Sequence, residues 1–138
     1  MFKEIKVNSE KSECLINITE QLREGVAESK VKDGLCVVFV PHTTAAITIN
    51  SCLDNMTLED ITAEMHRLIP TRVDFHHNYD TPADAAGHIK SVVVGNSLSL
   101  IIKDGNLLLG SSQSVLFFEF DGPRKRKVYL QIMADNNE

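Results

Sequence analysis

The chain has 138 residues, of which 43% are hydrophobic and 24% are charged, and this composition is that of a globular protein. Its length predicts one domain over residues 1–138, with a core large enough to fold without disulfide or metal cross-links. The formal charge of −5 argues against nucleic acid as a partner, because phosphate binding needs an excess of clustered Lys and Arg. The basic run at residues 124–127 is expected to be a solvated turn.

Cysteine usage and the absence of long apolar runs bear on location. Cys14, Cys36 and Cys52 are an odd number without metal-type spacing, which predicts reduced thiols. No run of apolar residues is long enough to cross a bilayer, and no signal peptide pattern is visible. We therefore expect a cytoplasmic protein that has no membrane partner.

The first part of the chain predicts two short strands followed by a helix. Asn17 and Glu20 are three residues apart, as in a capping box, in which both side chains bond to backbone amides at the helix start. Apolar side chains then recur at the spacing of one helix face. They are Ile18, Leu22 and Val26. The helix is expected to end near Asp33 and Gly34, because glycine readily adopts the conformation that terminates helices.

Two further strands and a second helix are predicted next. Residues 35–40 form an unbroken apolar run between Gly34 and Pro41, which predicts a strand buried on both faces. Residues 46–50 alternate apolar and polar side chains and predict the next strand. A helical repeat of apolar residues follows and ends at Pro70. The repeat consists of Leu58, Ile61, Met65 and Leu68.

The segment between residues 70 and 81 is polar and aromatic without a clear period, and connections of this length are often functional. A third helix is predicted to begin directly after it. Thr81 is the expected N-cap, and Pro82 occupies the first helical position. Asp84 lies in the first turn, where its charge is favoured by the positive end of the helix dipole.

Short apolar runs separated by turn residues predict more strands towards the C-terminus. They lie at residues 98–102, 107–109, 115–120 and 128–133. The first two flank a turn at Asp104 and Gly105 and are expected to form a hairpin. Six or more strands, about three helices and several antiparallel neighbours predict an α+β fold, with a mostly antiparallel or mixed β-sheet sandwich in a single compact domain.

Two side chains at the start of the third helix indicate a candidate metal site. Asp84 and His88 are four residues apart and therefore lie on one face of the helix. His76 or His77, in the irregular segment just before, can fold back onto this face, and we expect one of the two to be a ligand. The alternative is that Asp84 only caps the helix and His88 only lies on its surface.

A second candidate group follows the predicted buried strand. His42 lies in a loop at the strand end, where rigid scaffolds often display functional side chains. Thr43 and Thr44 add hydroxyl and amide groups suited to an anion. The alternative for His42 is a turn residue with locally satisfied hydrogen bonds. Asn50 and Asp54 lie on either side of the start of the next helix, and for Asp54 we favour a capping role.

Taken together, these segments resemble the YjbQ-like family of small proteins, and the match covers nearly the whole chain. It is carried by FVPHTTAAITIN at residues 39–50, the segment from His77 to His88-Ile89-Lys90, DGNLLLG at residues 104–110 and FEFDGPR at residues 118–124. Four segments in the right order and at sensible spacing are far more specific than a pair of histidines.

The resemblance implies an α+β domain that forms a homotrimer and has a histidine-containing pocket able to take a divalent metal ion. It also implies a thiamine phosphate synthase activity, which joins hydroxymethylpyrimidine pyrophosphate to thiazole phosphate. The polar positions of the family correspond here to His42, Thr43, Asn50, Asp54, His77, Asp84, His88, Lys90 and Gln113.

The resulting hypothesis is a metal-assisted enzyme that acts on a small phosphorylated heterocycle. Imidazole ligands favour zinc, whereas a pyrophosphate substrate favours magnesium, which is the alternative. The expected metal ligands are His42, His77 and His88. The expected catalytic residues are His42, Asp84 and Asn50, with Asp84 orienting one imidazole. Phosphate contacts are expected from Thr43, Thr44, Lys90, Gln113 and Arg124.

Two departures from the family pattern bear on the activity. The family usually has an acidic residue after the Thr-Ile-Asn element, where this chain has Ser51. It also usually has an aromatic residue before the glutamine that corresponds to Gln113, where this chain has Ser112. Loss of a proton-transferring acid or of a stacking ring would change or abolish the activity. Two rival functions are a non-catalytic trimer that binds a metal or a phosphorylated metabolite, and a metal-dependent hydrolase of phosphoesters.

Overall fold

The computed structural model describes residues 1–72, 74–77 and 81–136. Within these ranges the chain forms eight strands and three helices, so the predicted α+β class is confirmed. Their order is β1 (Phe2–Asn8), β2 (Cys14–Asn17), α1 (Thr19–Ser29), β3 (Gly34–Phe39), β4 (Ala45–Asn50), α2 (Asn55–Leu68), α3 (Pro82–Val94), β5 (Ser97–Lys103), β6 (Asn106–Leu107), β7 (Ser114–Glu119) and β8 (Lys125–Ala134). None of these helices has the length and apolar character that a membrane crossing requires.

The strands form two antiparallel sheets. The first has the order β1-β8-β3-β5-β6, and the second has the order β2-β7-β4. β3 is therefore central in the five-stranded sheet, between β8 and β5. β7 is central in the three-stranded sheet, and Glu119 at its end lies opposite Ala45 at the start of β4. Because β7 and β8 belong to different sheets, the turn between them crosses from one layer to the other.

The main core lies between the two sheets and is completed by α1. Alternate side chains of each strand point inwards, and Val38, Phe117, Leu130 and Leu22 of α1 are fully buried there. A smaller cluster around Phe118 lies on the other face of the three-stranded sheet, against side chains of α2 and α3. Replacing a core residue such as Leu130 by Ala is expected to cost about 2–5 kcal/mol of stability.

The prediction that β3 is buried on both faces is wrong. Cys36 and Val38 point into the core, but Leu35 and Phe39 on the opposite face are 46% and 41% exposed. The apolar run therefore combines one face that packs in the core with one that belongs to an apolar outer surface. Neighbouring strands of the same sheet also carry exposed apolar side chains. These are Phe2, Ile101 and Met133.

The first helix has the predicted buried stripe, but its ends differ from the prediction. The Asn17 side chain accepts a hydrogen bond from the amide of Thr19 at 3.0 Å, whereas Glu20 approaches Arg23 and not residue 17. The predicted end near residues 33–34 is too late. α1 ends at Ser29, because the next residue adopts the left-handed backbone conformation, with φ of 60°.

The predicted starts of the other two helices are confirmed. The Asp54 side chain caps α2 and accepts a 2.8 Å hydrogen bond from the amide of Met56. Thr81 caps α3, and its Oγ1 atom accepts a 3.3 Å hydrogen bond from the amide of Asp84. The hairpin of β5 and β6 is also confirmed, although β6 is only two residues long.

A glycine allows α3 to lie close to β4 and β7. A Cβ atom on Gly87 would be 3.2 Å from Cβ of Thr44 and 3.4 Å from Cβ of Phe120, so a larger side chain would crowd the two residues beside these strands. The first turns of α3 therefore lie beside the ends of these strands. The irregular segment between residues 70 and 81 leads to this helix, and its described part contains no helix or strand. Its other residues lie outside the described ranges.

Candidate metal site

Three side chains from the irregular segment and the first two turns of α3 lie together. They are His77, Asp84 and His88, and their ligand atoms all lie within 4.8 Å of one another. Nε2 of His77 is 2.5 Å from Oδ2 of Asp84, and Nε2 of His88 is 3.4 Å from the same oxygen. The two rings meet edge to face, with centroids 5.0 Å apart. His77 thus folds back onto the helix start, while the neighbouring His76 is exposed.

The carboxylate of this group is buried, and its two imidazoles are half exposed. The Asp84 side chain is 10% exposed, against 42% for His77 and 40% for His88. Burial alone would raise the pKa of the Asp84 carboxyl. The hydrogen bond from His77 and the charges of both imidazoles outweigh burial, so this pKa lies below its ordinary value. The carboxylate is therefore ionised at neutral pH.

The donor set suits a transition-metal ion. Two imidazoles and one carboxylate are the protein ligands of several catalytic zinc sites and of non-haem iron(II) sites. With metal–ligand bonds of about 2.0–2.1 Å, the ligand atoms of a tetrahedral site are about 3.3 Å apart. The separation of His88 from Asp84 is close to this value, whereas a hydrogen bond draws His77 nearer. An ion would replace that hydrogen bond and release its proton.

A second carboxylate, which the sequence analysis missed, lies beside Asp84. The Asp121 side chain interacts with that of Asp84 and accepts a 2.9 Å hydrogen bond from Arg124. Burial and the nearby charge of Asp84 raise the pKa of Asp121, although Arg124 opposes them. The sequence signal was an acid directly after a buried strand, followed by a Gly-Pro turn and an arginine. Arg124, a predicted phosphate contact, is thus connected to the group through Asp121.

A buried ion pair lies at the end of β7 in the three-stranded sheet, close to Asp121. Glu119 has no exposed surface, and it accepts hydrogen bonds from Nε of Arg126 at 2.9 Å and from Oγ of Ser9 at 2.6 Å. Burial alone would raise the pKa of Glu119, but these hydrogen bonds hold it below its ordinary value. Arg126 also donates to Oγ1 of Thr44 at 2.8 Å. The Thr44 hydroxyl, a predicted phosphate contact, is therefore engaged inside the protein. The prediction of a solvated turn at residues 124–127 is wrong for Arg126, which lies in β8 and is buried.

His42 and Thr43 line a cavity of about 420 Å³ that His88 also lines. We call His77, Asp84 and His88 the metal group. The cavity and the metal group thus share His88, but His42 is not a member of the group. Its Nε2 atom lies 3.0 Å from the amide nitrogen of Lys127 and 3.1 Å from the carbonyl oxygen of the same residue. Burial and the charge of Arg126 lower the pKa of His42, which favours the neutral ring.

Lys90 points away from the metal group. It follows His88 by two residues, which places the two side chains on opposite sides of α3. Its ammonium is buried, pairs with Glu13 and lies 5.8 Å from the ring centroid of Phe120. Glu13 also approaches the half-exposed His66 near the end of α2. A phosphate contact by Lys90 would require this ion pair to open.

Asn50 and Gln113 lie at the far end of the three-stranded sheet. Asn50 is five residues along β4 from the end near the metal group, and a strand rises roughly 3.3 Å per residue. The Gln113 side chain accepts a 2.8 Å hydrogen bond from the amide of Gly110. Ser51 and Ser112, the two departures from the family pattern, adjoin these residues. Within one chain, therefore, the structure does not bring this end of the sheet to the histidines.

The described residues define an α+β protein of two antiparallel sheets with a candidate site of two imidazoles and one carboxylate. Residues 3–135 match the sequence profile described as UPF0047 protein YjbQ-like, and the chain belongs to this family. A UPF0047 protein of Methanocaldococcus jannaschii is 45% identical over 130 residues, which are 94% of this chain and 92% of the relative. The UPF0047 protein YugU of Bacillus subtilis is 32% identical over 134 residues, which are 97% of this chain and 100% of the relative.

Solved structures share this architecture. A hypothetical protein of Aeropyrum pernix K1 superposes with a TM-score of 0.92 at 31% identity, covering 98% of this chain and 99% of that one. A YjbQ/UPF0047 family protein of Clostridium acetobutylicum superposes with a TM-score of 0.88 at 39% identity, covering 95% of this chain and 99% of that one. These crystal structures confirm the predicted fold.

Proposed function

We propose that this chain is a metal-assisted enzyme that acts on a small phosphorylated heterocycle. The observation that carries the proposal is the group of His77, Asp84 and His88 at the edge of a cavity of about 420 Å³. A buried, ionised carboxylate beside two half-exposed imidazoles can hold an ion and still leave a coordination position open. Because His88 belongs to both the group and the cavity wall, a ligand in the cavity would lie next to the ion.

For the ion we propose zinc, with magnesium as the alternative. Imidazole nitrogen is a good ligand for zinc, whereas magnesium prefers oxygen ligands. Two imidazoles and one carboxylate supply three protein ligands, which is the number found in catalytic zinc sites. A bound zinc ion would supply a Lewis acid that stabilises negative charge on a phosphate oxygen. Asp84 would then be a ligand itself, in addition to its contact with His77.

Within this class we propose thiamine phosphate synthesis, the reaction that the family resemblance implies. The thiazole nitrogen would form a bond to the methylene carbon of the pyrimidine, while the bond from that carbon to the pyrophosphate oxygen breaks. Pyrophosphate leaves with the electron pair, so the site must stabilise a highly charged anion. Arg124, connected to the group through Asp121, and the exposed Thr43 at the cavity are the side chains that support this assignment.

The direct test is an assay of thiamine phosphate formation with zinc, with magnesium and after chelation. We expect zinc-dependent activity that falls by about 100-fold or more in Asp84→Asn and in His88→Ala, because each change removes a ligand. His66→Ala is the matched control, since this histidine does not line the cavity, and it should keep the wild-type rate. Equal rates in all four proteins would refute the role of the group. An inactive wild-type protein with either ion would refute the reaction.

A non-catalytic module that binds a metal or a phosphorylated metabolite is the second candidate. The observation that favours it is the separation of Asn50 and Gln113 from the metal group, together with the burial of Lys90. Few groups suited to catalysis then surround the histidines of one chain. Binding of zinc and of inorganic phosphate without turnover of the pyrimidine pyrophosphate would support this candidate over the enzyme.

We further propose that the protein forms a homotrimer through the outer face of the five-stranded sheet. Strand pairing places Ile101, Leu35 and Met133 in one row of this face and Phe39 beside Tyr129 in another. Apolar patches of this kind on soluble proteins mark association surfaces. Sedimentation should give a mass of three copies, and Leu35→Glu should shift the protein towards monomers. A wild-type protein that sediments as a monomer would refute the proposal.

A cytoplasmic location is the last part of this proposal. Cys14, Cys36 and Cys52 are free thiols, which are typical of reducing compartments. Burial raises the pKa of Cys36 to about 11, so this thiol is protected from oxidation. Cell fractionation should recover the protein with cytoplasmic markers, and recovery from the culture medium would contradict the proposal.

A further inference from the structure

The ladder between β3 and β8 is interrupted next to His42. Phe39 lies opposite Tyr129, so the same register would place Pro41 opposite Lys127. Proline has no N–H and cannot donate a ladder hydrogen bond. The His42 ring occupies this gap, with Nε2 3.0 Å from the amide nitrogen of Lys127 and 3.1 Å from its carbonyl oxygen.

The backbone of Lys127 determines which ring nitrogen of His42 carries the proton. Nε2 either accepts from the Lys127 N–H or donates to the Lys127 carbonyl, but one nitrogen of a neutral ring cannot do both. An unpaired N–H away from water is rarer in proteins than an under-used carbonyl oxygen, so the accepting role is favoured. Burial and the charge of Arg126 lower the pKa of His42 and keep the ring neutral. The single ring proton therefore lies on Nδ1.

We infer that His42 is the hydrogen-bond donor for an oxyanion in the cavity beside the metal group, and that it is not a metal ligand. Nε2 is engaged with Lys127, and Nδ1 carries the proton, so neither nitrogen offers a lone pair to an ion. Within the described part of the chain, Nδ1 has no hydrogen-bond partner. The inference rests on the proposed metal site, because His88 lines the same cavity.

The character of the cavity fits a phosphate or a carboxylate group. None of the described side chains that line it is acidic, and at His42 the charge of Arg126 lowers the pKa more than the charge of Glu119 raises it. Thr43 adds an exposed hydroxyl, whereas the hydroxyl of Ser91 already donates to the carbonyl of Ala45. A volume of about 420 Å³ exceeds that of a phosphate ion. The oxyanion would therefore be one end of a small metabolite.

Two substitutions distinguish the role of Nε2 of His42 from the role of Nδ1. In His42→Gln, the side-chain carbonyl can take the place of Nε2 and keep the contact with Lys127, but the Nδ1–H is lost. In His42→Asn, the side-chain amide can take the place of Nδ1 and keep the donor, but the Lys127 contact is lost. His66→Gln is the matched control, because it changes a histidine on α2 that does not line this cavity.

The measurements are zinc affinity in phosphate-free buffer and the affinity of the metal-free protein for inorganic phosphate and for acetate. We expect wild-type zinc affinity in both His42 variants. Phosphate affinity should fall roughly 10- to 100-fold in His42→Gln, the usual effect of losing a hydrogen bond to a charged acceptor, and should be largely kept in His42→Asn. Binding of phosphate alone would indicate a phosphorylated ligand, equal binding of acetate would indicate a carboxylate, and both support the inference.

Nitrogen NMR of the wild-type ring gives a readout that does not depend on the folding of any variant. Nδ1 should be protonated and Nε2 unprotonated, and the Nδ1–H signal should shift when phosphate is added. Three results would overturn the inference: loss of zinc affinity by about tenfold or more in His42→Gln, no effect of that change on phosphate binding, or no phosphate binding by the wild-type protein. Failure of the wild-type protein to bind zinc would overturn only the metal proposal, since the phosphate measurements use metal-free protein.

Discussion

Two charged clusters lie at the same edge of the three-stranded sheet, but they differ in how their charges are satisfied. In the pair of Glu119 and Arg126, both side chains are at most 7% exposed and are surrounded by hydrogen-bond partners from the protein. In the group of His77, Asp84 and His88, only the carboxylate is buried, while both imidazoles are about 40% exposed. The first arrangement serves the fold, and the second can accept a ligand.

Asp121 connects the two clusters. Its amide donates to Oε2 of Glu119 at 3.1 Å, and its side chain interacts with Asp84. The buried pair therefore holds in place the turn that adjoins the metal group. Changes in the pair should therefore act mainly on folding, and changes in the group should act mainly on metal binding.

The largest expected effect is the loss of unfolding free energy in Arg126→Met. This change leaves the carboxylate of Glu119 buried without its cation, which typically costs about 3–5 kcal/mol of unfolding free energy. Urea unfolding of the two proteins measures the difference. Arg67→Ala removes an exposed ion pair with Glu64 and serves as the control, with no measurable loss expected. Similar stabilities for the two variants would show that the buried pair is not structural.

The next effect is on metal affinity. Asp84→Asn removes a charged ligand and should weaken zinc binding by about 100-fold or more, whereas Asp121→Asn acts only through Asp84 and should weaken it by roughly tenfold. Without zinc, Asp84→Asn should lose about 1 kcal/mol of stability or less. This is the usual size of the interaction between an acidic side chain and the N-terminus of a helix, which the change removes. Titration calorimetry gives both affinities. A larger loss in Asp121→Asn would reverse the assigned roles.

A smaller effect distinguishes two helix caps. Thr81→Ala and Asp54→Ala each remove one capping hydrogen bond and should each cost about 1 kcal/mol in thermal or urea unfolding. Only the Thr81 change should also reduce zinc affinity, because Thr81 bonds to the amide of Asp84. Equal zinc affinities in the two variants would mean that the start of α3 does not position the carboxylate.

The smallest effect is expected for mild acidification. The hydrogen bonds of Glu119 hold its folded-state pKa below the ordinary value of 4.5, so its contribution to stability is complete above that pH. The contribution of Glu119 should therefore be unchanged between pH 7 and pH 5, and it should fall as the pH drops below 4.5 towards the folded-state pKa. The lowered pKa of His42 adds a separate decline in the unfolding free energy that begins near its ordinary value of 6.5. Arg126→Met should show a shallower decline, and an equally steep one would assign the acid sensitivity to other groups.

Local features of this fold could be predicted from the sequence, because they depend on neighbouring residues. Thr81, Pro82 and Asp84 define the start of α3 within four residues, and the turn at Asp104 and Gly105 defines a hairpin. The exposed face of β3 could not be predicted, because an apolar run looks the same whether its second face meets a core or an outer surface. The assignment of β7 and β8 to different sheets is likewise a property of the whole fold.

The candidate site was predictable to the extent that helical spacing determines it. Asp84 and His88 come together because they are four residues apart, and Lys90 turns away because it is two residues further on. The contact of His42 with Lys127 depends on the register of strands that are far apart in the sequence, and no local pattern indicates it. The role of Asp121 also depends on contacts that only the folded chain creates.

Elemental analysis of the protein, purified without a chelator or an affinity tag, shows whether His77, Asp84 and His88 hold a metal ion. We expect one zinc ion per chain in the wild-type protein and none in the double variant His77→Ala/His88→Ala, with both proteins folded as judged by circular dichroism. A wild-type protein that neither contains nor takes up a divalent ion, or a double variant that binds it equally well, would show that these side chains are not a metal site.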